Sequence, residues 1–237
     1  MSAAFTVELD PTPGRRQGEE QFLLHADGDT QRVVLHDYAT VYAVPGLYEE
    51  VVQRQLECAS PATVADVLVE AAASVDVAPG ALRAFDLGAG NGVVGEELVA
   101  RGVTVVVGAD GIPEARDAAH RDRPGLYDHY LVGERLESAE VARLVTEERL
   151  NALVAAGAVG EGHVPVDALG ELWSTFPSGS VLALTLKDGE HDHDVADVDA
   201  WLARTSDTGT VVRRRFRHRL SMAGNELYYV VLGAVKR

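Results

Sequence analysis

The segment FDLGAGNGVVGEEL, residues 85–98, contains four glycines whose spacing fits two different ligand-binding turns. Gly90, Gly92 and Gly95 have the G-x-G-x-x-G spacing that is typical of a dinucleotide-binding turn. Gly88, Gly90 and Gly92 form a second series, G-x-G-x-G, which begins two residues earlier. In both registers glycine permits a tight turn and lets a ligand approach the backbone, so the segment predicts a cofactor site.

An acidic residue, Asp86, precedes this turn and favours the second register. In a dinucleotide site the N-terminus of the next helix faces a pyrophosphate, which a neighbouring carboxylate would repel. S-adenosylmethionine (SAM) has no phosphate, and its cationic amino group and sulfonium would be attracted by a carboxylate. We therefore interpret Gly88, Ala89, Gly90 and Gly92 as a turn that binds SAM, together with Asp86.

Asp110 is a second acidic residue at the end of a hydrophobic segment, TVVVGAD. It follows the glycine turn by about twenty residues, the position at which an acidic side chain accepts hydrogen bonds from ribose hydroxyls. Asp110 therefore predicts a ligand that contains a nucleoside, and it is compatible with either cofactor.

The elements that position these residues alternate between strands and helices from residue 82 onward. ALRAFDL, VTVVVGAD, LNALVAAGAV and GSVLALTLKD are predicted strands, and helical segments separate them. This alternation predicts an α/β fold with a doubly wound, mainly parallel sheet. The last two predicted strands, VVRRRFRHRL and NELYYVVLGAVKR, are joined by SMAGN, which predicts an antiparallel hairpin.

The chain before this domain is predicted to form two parts. Residues 1–35 are expected to be a partly disordered lead-in, because 11–31 are rich in Pro, Gly, Asp and Gln without periodicity. Residues 36–78 predict an N-terminal helical cap, with helices over 45–60 and 61–75 and Ser60 as the N-cap of the second. Residues 79–237 are then expected to form a SAM-binding domain.

These motifs resemble those of class I SAM-dependent methyltransferases over roughly residues 36–188. FDLGAGNG resembles the first motif of that family, and VVGADGIPEA resembles the second. The resemblance implies that Asp110 binds the ribose, that Gly111 and Ile112 flank the adenine, and that Glu134 lies near the adenine amino group. It also implies the strand order 3-2-1-4-5-7-6 with strand 7 antiparallel.

Two further segments narrow the resemblance. LYDHYLVG and AAGAVGEGHVP are similar to the Williams-Beuren candidate-region methyltransferases and their bacterial relatives. HDYATVYAVPGLYEE, residues 36–50, looks like the Tyr-rich cap that covers the cofactor in many small-molecule methyltransferases. Tyr38 and Tyr42 are therefore candidates for a cation–π contact with the sulfonium, whereas Tyr48 also fits the core of the cap.

A general base is required only when the acceptor holds its proton at neutral pH. His163, in GEGHVP after the fourth predicted strand, is the candidate for this base, because imidazole titrates near neutrality. A histidine on a solvent-exposed loop is the alternative interpretation. Glu161 is a second candidate base, and His36 is a candidate for contact with the acceptor.

The amino-acid composition limits the kinds of partner that this protein is expected to bind. The net charge of −16 disfavours nucleic acid, and the basic segment VVRRRFRHRL is expected to be a strand whose arginines alternate into solvent or pair with carboxylates. No segment contains the ~18 consecutive apolar residues of a membrane helix, so we expect a cytoplasmic protein. We expect it to be a monomer or a homodimer. Two lysines among 21 basic residues are typical of a GC-rich bacterial source or a halophile. GEHDHDVADVDAW alternates His with Asp, but as an extended loop entering a helix it predicts no metal site.

The sequence as a whole predicts a methyltransferase that moves a methyl group from SAM to an oxygen or nitrogen of a small molecule, leaving S-adenosylhomocysteine. An NAD(P)-dependent oxidoreductase that uses Gly90, Gly92 and Gly95 remains an alternative. A non-catalytic, SAM-binding regulatory protein is a third possibility, because the sequence assures no catalytic base.

Overall fold

The computed structural model describes residues 5–133, 136, 138–160, 162–189 and 193–237. Its first part is a small antiparallel sheet of three strands in the order β1-β2-β3. The strands are β1 (Phe5–Leu9), β2 (Gln21–Ala26) and β3 (Asp29–Val34).

The expectation of a partly disordered lead-in is wrong for the described residues 5–35. Phe22 and Leu24 alternate along β2, and together with Val33 of β3 they are buried in an apolar cluster. The two strands are joined at Asp27 and Gly28, which both have positive φ, 52° and 86°. This Asp-Gly pair between alternating apolar residues is a hairpin signal, which the compositional argument overlooked.

The cap begins with a short helix, α1 (Tyr38–Ala43), whose N-cap Asp37 accepts a hydrogen bond from Thr40 N at 3.3 Å. A π-helical segment, Glu49–Gln55, replaces most of the helix predicted over 45–60. The next helix, α2, spans Ser60–Ala73, so Ser60 is its first residue and Ala59 occupies the N-cap position predicted for Ser60. The Ser60 side chain makes no cap hydrogen bond and contacts His218 instead.

A seven-stranded sheet forms the centre of the protein, as predicted. Its strands are β4 (Arg83–Leu87), β5 (Thr104–Asp110), β6 (His129–Val132), β7 (Ala152–Ala156), β8 (Val181–Lys187), β9 (Thr208–Leu220) and β10 (Glu226–Lys236). They lie in the order β6-β5-β4-β7-β8-β10-β9, which is 3-2-1-4-5-7-6 when counted within this sheet. The pairs among β4 to β8 are parallel, and β10 is antiparallel to both β8 and β9.

Five further helices accompany this sheet: α3 (Val93–Ala100), α4 (Pro113–Asp122), α5 (Ala139–Glu147), α6 (Val166–Ser174) and α7 (Asp194–Arg204). Leu153 and Leu182 belong to an apolar cluster with residues of α5 to α7. Their neighbours Val154 and Ala183 belong to a second cluster with residues of α2 and α3. The central strands are buried on both faces, which explains why they appear as continuous apolar segments. Every helix among the described residues is too short or too polar to cross a membrane.

Candidate functional site

A cavity of about 770 Å³ lies at the carboxyl ends of β4, β5 and β7. The central strand β4 pairs with β5 on one side and with β7 on the other, so the direction of the chain across the sheet reverses here. Open α/β sheets bind ligands at this kind of switch point. The cavity is lined by strand ends, by the cap and by the loop after β7.

The glycine turn lies beside this cavity and contributes Gly88 to its lining. Gly88, Gly90 and Gly92 have φ values of +72°, +53° and +92°, which side chains rarely adopt. A Cβ at Gly88 would overlap Ala158, and a Cβ at Gly90 would overlap the hydroxyl of Tyr42. The turn therefore needs glycine for both conformation and space.

Backbone N–H groups of the turn are hydrogen-bonded within the protein. Gly88 N and Ala89 N donate to Ala109 O at 2.8 and 3.0 Å, and Gly92 N donates to Ala89 O at 2.9 Å. Gly90 N donates to Asp110 Oδ2 at 3.0 Å. A dinucleotide turn uses such groups for its pyrophosphate, so this arrangement disfavours the dinucleotide register.

Asp86 does not line the cavity, contrary to the role expected for it. Side chains alternate along a strand, and the cavity is lined by the next residue, Leu87. Asp86 is fully buried and accepts a hydrogen bond from the Tyr127 hydroxyl at 2.7 Å. Burial raises the pKa of Asp86 to about 7. Asp86 therefore belongs to the buried core next to the glycine turn and is not placed to attract a cation in the cavity.

Asp110 ends β5 and lines the cavity. Gly90 N donates to its Oδ2, and Ile112 N donates to its Oδ1 at 3.3 Å, which fixes the carboxylate at the edge of the turn. Burial raises the pKa of Asp110 above the usual value. A carboxylate has about four acceptor positions, so two backbone donors leave capacity for ligand hydroxyls.

An apolar wall continues from Asp110 along the cavity. Gly111 and Ile112 follow Asp110, and Leu131 and Leu136 lie beside them in the lining. A flat, apolar group next to Asp110 would be enclosed by these side chains. Glu134, the predicted contact for an adenine amino group, lies outside the described residues.

The tyrosines of the cap cover the glycine turn. The rings of Tyr38 and Tyr42 stack with centroids 5.8 Å apart, and those of Tyr42 and Tyr48 lie 5.3 Å apart. Arg121 of α4 donates to Tyr42 O at 3.0 Å and attaches the cap to the core. Burial raises the pKa of Tyr38 to about 12, so its ring stays uncharged at neutral pH. All three tyrosines line the cavity.

The two histidines considered from sequence, His36 and His163, also line the cavity. His163 is exposed on its loop, where its backbone N donates to Gly160 O at 3.1 Å. His36 Nδ1 is buried and has no hydrogen-bond partner among the described residues. Burial lowers the pKa of His36 and keeps this imidazole neutral. Glu161, His191 and Asp192 lie outside the described residues.

A narrower branch of the cavity, about 100 Å³, extends from the glycine turn to the C-terminal hairpin. Its walls include side chains that the sequence analysis did not identify as site residues: Gln17, Ser60, His218 and Tyr229. His218 is buried together with its neighbour Arg219, so alternation along this strand gave no signal that the His218 side chain faces the cavity.

No family model matches the chain, and no curated protein matches it. Among solved structures, it is similar to the Burkholderia thailandensis 1,6-didemethyltoxoflavin-N1-methyltransferase, which holds 1,6-didemethyltoxoflavin and S-adenosylhomocysteine. The identity is 17%, the TM-score is 0.53, and 97% of this chain and 99% of that chain are covered.

Two other methyltransferases have similar structures. A tRNA methyltransferase of B. subtilis is 14% identical with a TM-score of 0.53, covering 76% of this chain and 66% of that chain. The ribosomal protein L11 methylase of Lactobacillus delbrueckii subsp. bulgaricus is 16% identical with a TM-score of 0.51, covering 74% and 79%. The narrower resemblance to the Williams-Beuren group stays a prediction. At these identities the similarity concerns the fold, and the chain has the fold of class I methyltransferases.

Proposed function

We propose that this protein is a SAM-dependent methyltransferase that acts on an oxygen or nitrogen of a small molecule. The observation that carries the proposal is the Asp110 carboxylate, which Gly90 N and Ile112 N hold at the cavity edge beside an apolar wall. This pairing of a diol acceptor with a slot for a flat base suits the adenosine of SAM. Because the turn uses its N–H groups internally, it suits a cofactor without phosphate.

The residues present fit the adenosine and the sulfonium of the cofactor. Asp110 would accept the ribose hydroxyls, while Ile112 and Leu131 would enclose the adenine. The sulfonium would then lie beside the rings of Tyr38 and Tyr42, where cation–π attraction favours it.

When bound, SAM supplies an electrophilic methyl group: an acceptor lone pair bonds to the methyl carbon as the carbon–sulfur bond breaks, and its electron pair stays on sulfur in S-adenosylhomocysteine. The protein's contribution is alignment and exclusion of water, which the cap tyrosines provide. For a hydroxyl acceptor, His163 would take the proton and, being exposed, would pass it to solvent.

The acceptor class is argued from charge, because related folds methylate RNA, protein and small molecules. RNA binding depends on basic groups that neutralise phosphates. This chain carries 37 acidic against 21 basic residues, which supports a small molecule.

Calorimetric titration of cofactor-stripped protein with SAM, S-adenosylhomocysteine and NADH tests the proposal. We expect the first two to bind and NADH not to bind. Binding of NADH alone would establish the dinucleotide register, and binding of none would remove the proposal altogether.

A further inference from the structure

The inner branch of the cavity has a wall of two stacked rings. The rings of His218 and Tyr229 lie with centroids 3.8 Å apart and an interplanar angle of 18°. Tyr229 also lies against the end of β7, since a Cβ at Gly157 would be 3.9 Å from its ring. The stacked pair therefore reaches the point where the main cavity and the branch meet.

Hydrogen bonds from distant parts of the chain fix both rings. Ser60 Oγ lies 2.7 Å from His218 Nδ1, and the Tyr229 hydroxyl donates to Gln17 Oε1 at 3.1 Å. His218 Nε2 makes no hydrogen bond to any described residue. The wall thus presents fixed aromatic surface and one imidazole nitrogen with unused hydrogen-bonding capacity.

The branch offers no free charge to a ligand. Among its described lining residues, Arg219 is the sole side chain with a permanent charge, and Glu20 binds it at 2.5 Å. Burial lowers the pKa of His218 to about 3, and burial also lowers the pKa of His36, so these two imidazoles are neutral at pH 7, while the third lining histidine, His163, is exposed on its loop. Transfer of an ion into such surroundings is costly, so an uncharged ligand is favoured.

The branch is too small to enclose a whole ring, so a bound ring must extend partly into the main cavity. The branch measures about 100 Å³, whereas an apolar cavity of about 150 Å³ in another protein holds benzene. Eight residues line both the branch and the main cavity, among them Gly88 and Gly157, so a larger molecule can extend outward.

From these contacts we propose that the inner branch, where it opens into the main cavity, binds a planar, uncharged aromatic or heteroaromatic ring of the methyl acceptor, packed against the stacked rings of Tyr229 and His218. This inference rests on the proposed function, since it assigns the acceptor of the same site. Tyr229 and His218 are specificity-determining residues in this proposal, and the rest of the acceptor lies toward His163.

The test uses the full chain saturated with S-adenosylhomocysteine and three probes of similar size: phenol, benzoate and cyclohexanol. NMR titration gives their dissociation constants at pH 7. We expect phenol to bind about tenfold more tightly than benzoate, which is charged, and than cyclohexanol, which is not planar. Equal affinity for phenol and either of the other probes would overturn the inference.

Substitutions of Tyr229 and of a control tyrosine test whether phenol binds in the branch. Tyr229→Leu should weaken phenol binding about tenfold and leave S-adenosylhomocysteine binding within about twofold. Tyr228→Leu is the matched control, because this neighbouring ring lies outside the cavity against Arg215 and should change neither affinity. Tyr229→Phe keeps the ring and should keep phenol binding, which preserves the test if the leucine variant fails to fold.

The outcomes separate the two proposals. If wild-type protein does not bind S-adenosylhomocysteine, the proposed function fails and this inference fails with it. If the cofactor product binds but phenol does not, only the inference about the branch fails. If Tyr229→Leu weakens S-adenosylhomocysteine and spares phenol, the branch holds the amino-acid end of the cofactor, which also overturns the inference.

Discussion

The two halves of the cavity are assembled in different ways. The cofactor half comprises the glycine turn, Asp110 and Ile112, which belong to two consecutive β-α units. The half proposed to bind the acceptor comprises residues from the segment between β1 and β2, from α2, from a loop and from the C-terminal hairpin: Gln17, Ser60, His163, His218 and Tyr229. The first half depends on local backbone geometry, whereas the second depends on contacts between distant segments.

One buried ion pair holds the acceptor half together. Arg219 of β9 donates to Glu20, which precedes β2, over 199 residues of sequence. Glu20 also accepts a hydrogen bond from Met222 N at 2.7 Å. Both side chains are about 5% exposed or less, so the pair connects the N-terminal sheet to the hairpin that carries His218.

Breaking this pair is expected to have the largest effect. Arg219→Met should lower the free energy of unfolding by about 3–5 kcal/mol, because it leaves the Glu20 carboxylate buried and unpaired. Arg217→Met is the matched control: Arg217 lies on the same strand, and its ion pair with Glu57 is 33% and 56% exposed. Its loss should cost about 0–1 kcal/mol.

Urea denaturation measures both variants, and binding measurements at low temperature sharpen the comparison. Folded Arg219→Met protein should keep its affinity for S-adenosylhomocysteine while losing affinity for phenol. If the two arginine variants are equally stable, the acceptor half does not depend on this long-range pair.

Removing the ribose acceptor is expected to have the next largest effect. Asp110→Ala should weaken SAM binding by about 1.5–3 kcal/mol, because the ribose hydroxyls lose a charged acceptor. Calorimetry gives the two dissociation constants. Asp117→Ala is the control, since it removes an exposed carboxylate from the adjoining helix α4 with the same change in net charge. Unchanged affinity in Asp110→Ala would show that the ribose lies elsewhere.

The cofactor half was accessible from sequence because its determinants are short-range. The positive φ of Gly88, Gly90 and Gly92 is a local requirement of the turn, and Asp110 ends the next strand, so both signals lie in short segments even though Ala158 and Tyr42 also pack against the glycines. Periodicity likewise predicted the central sheet, because a buried parallel strand requires a continuous apolar segment.

The acceptor half was not accessible, because its residues look ordinary in their local sequence. His218 lies in VVRRRFRHRL, where the expected pairing of arginines with carboxylates is confirmed for Arg213 with Asp199 and Arg215 with Asp188. The partners that give His218 its environment, Ser60 and Tyr229, belong to other elements. Asp86 is the opposite case. An acidic residue at this position suggested a ligand contact, but the alternation of side chains along β4 points it into the core.

Asp86 therefore provides the smallest expected effect on the site. Asp86→Asn should leave the affinity for S-adenosylhomocysteine within about twofold, because the side chain does not line the cavity and Asn still accepts from Tyr127.

The Asp86→Asn substitution should instead change the free energy of unfolding. Burial raises the pKa of Asp86 from 3.8 to about 7, so between these values the folded protein holds a proton that the unfolded chain has released. Wild-type stability should fall as the pH rises through this window, and urea denaturation of the Asn variant should lack that component. A large loss of cofactor affinity in Asp86→Asn would instead place the carboxylate in the site.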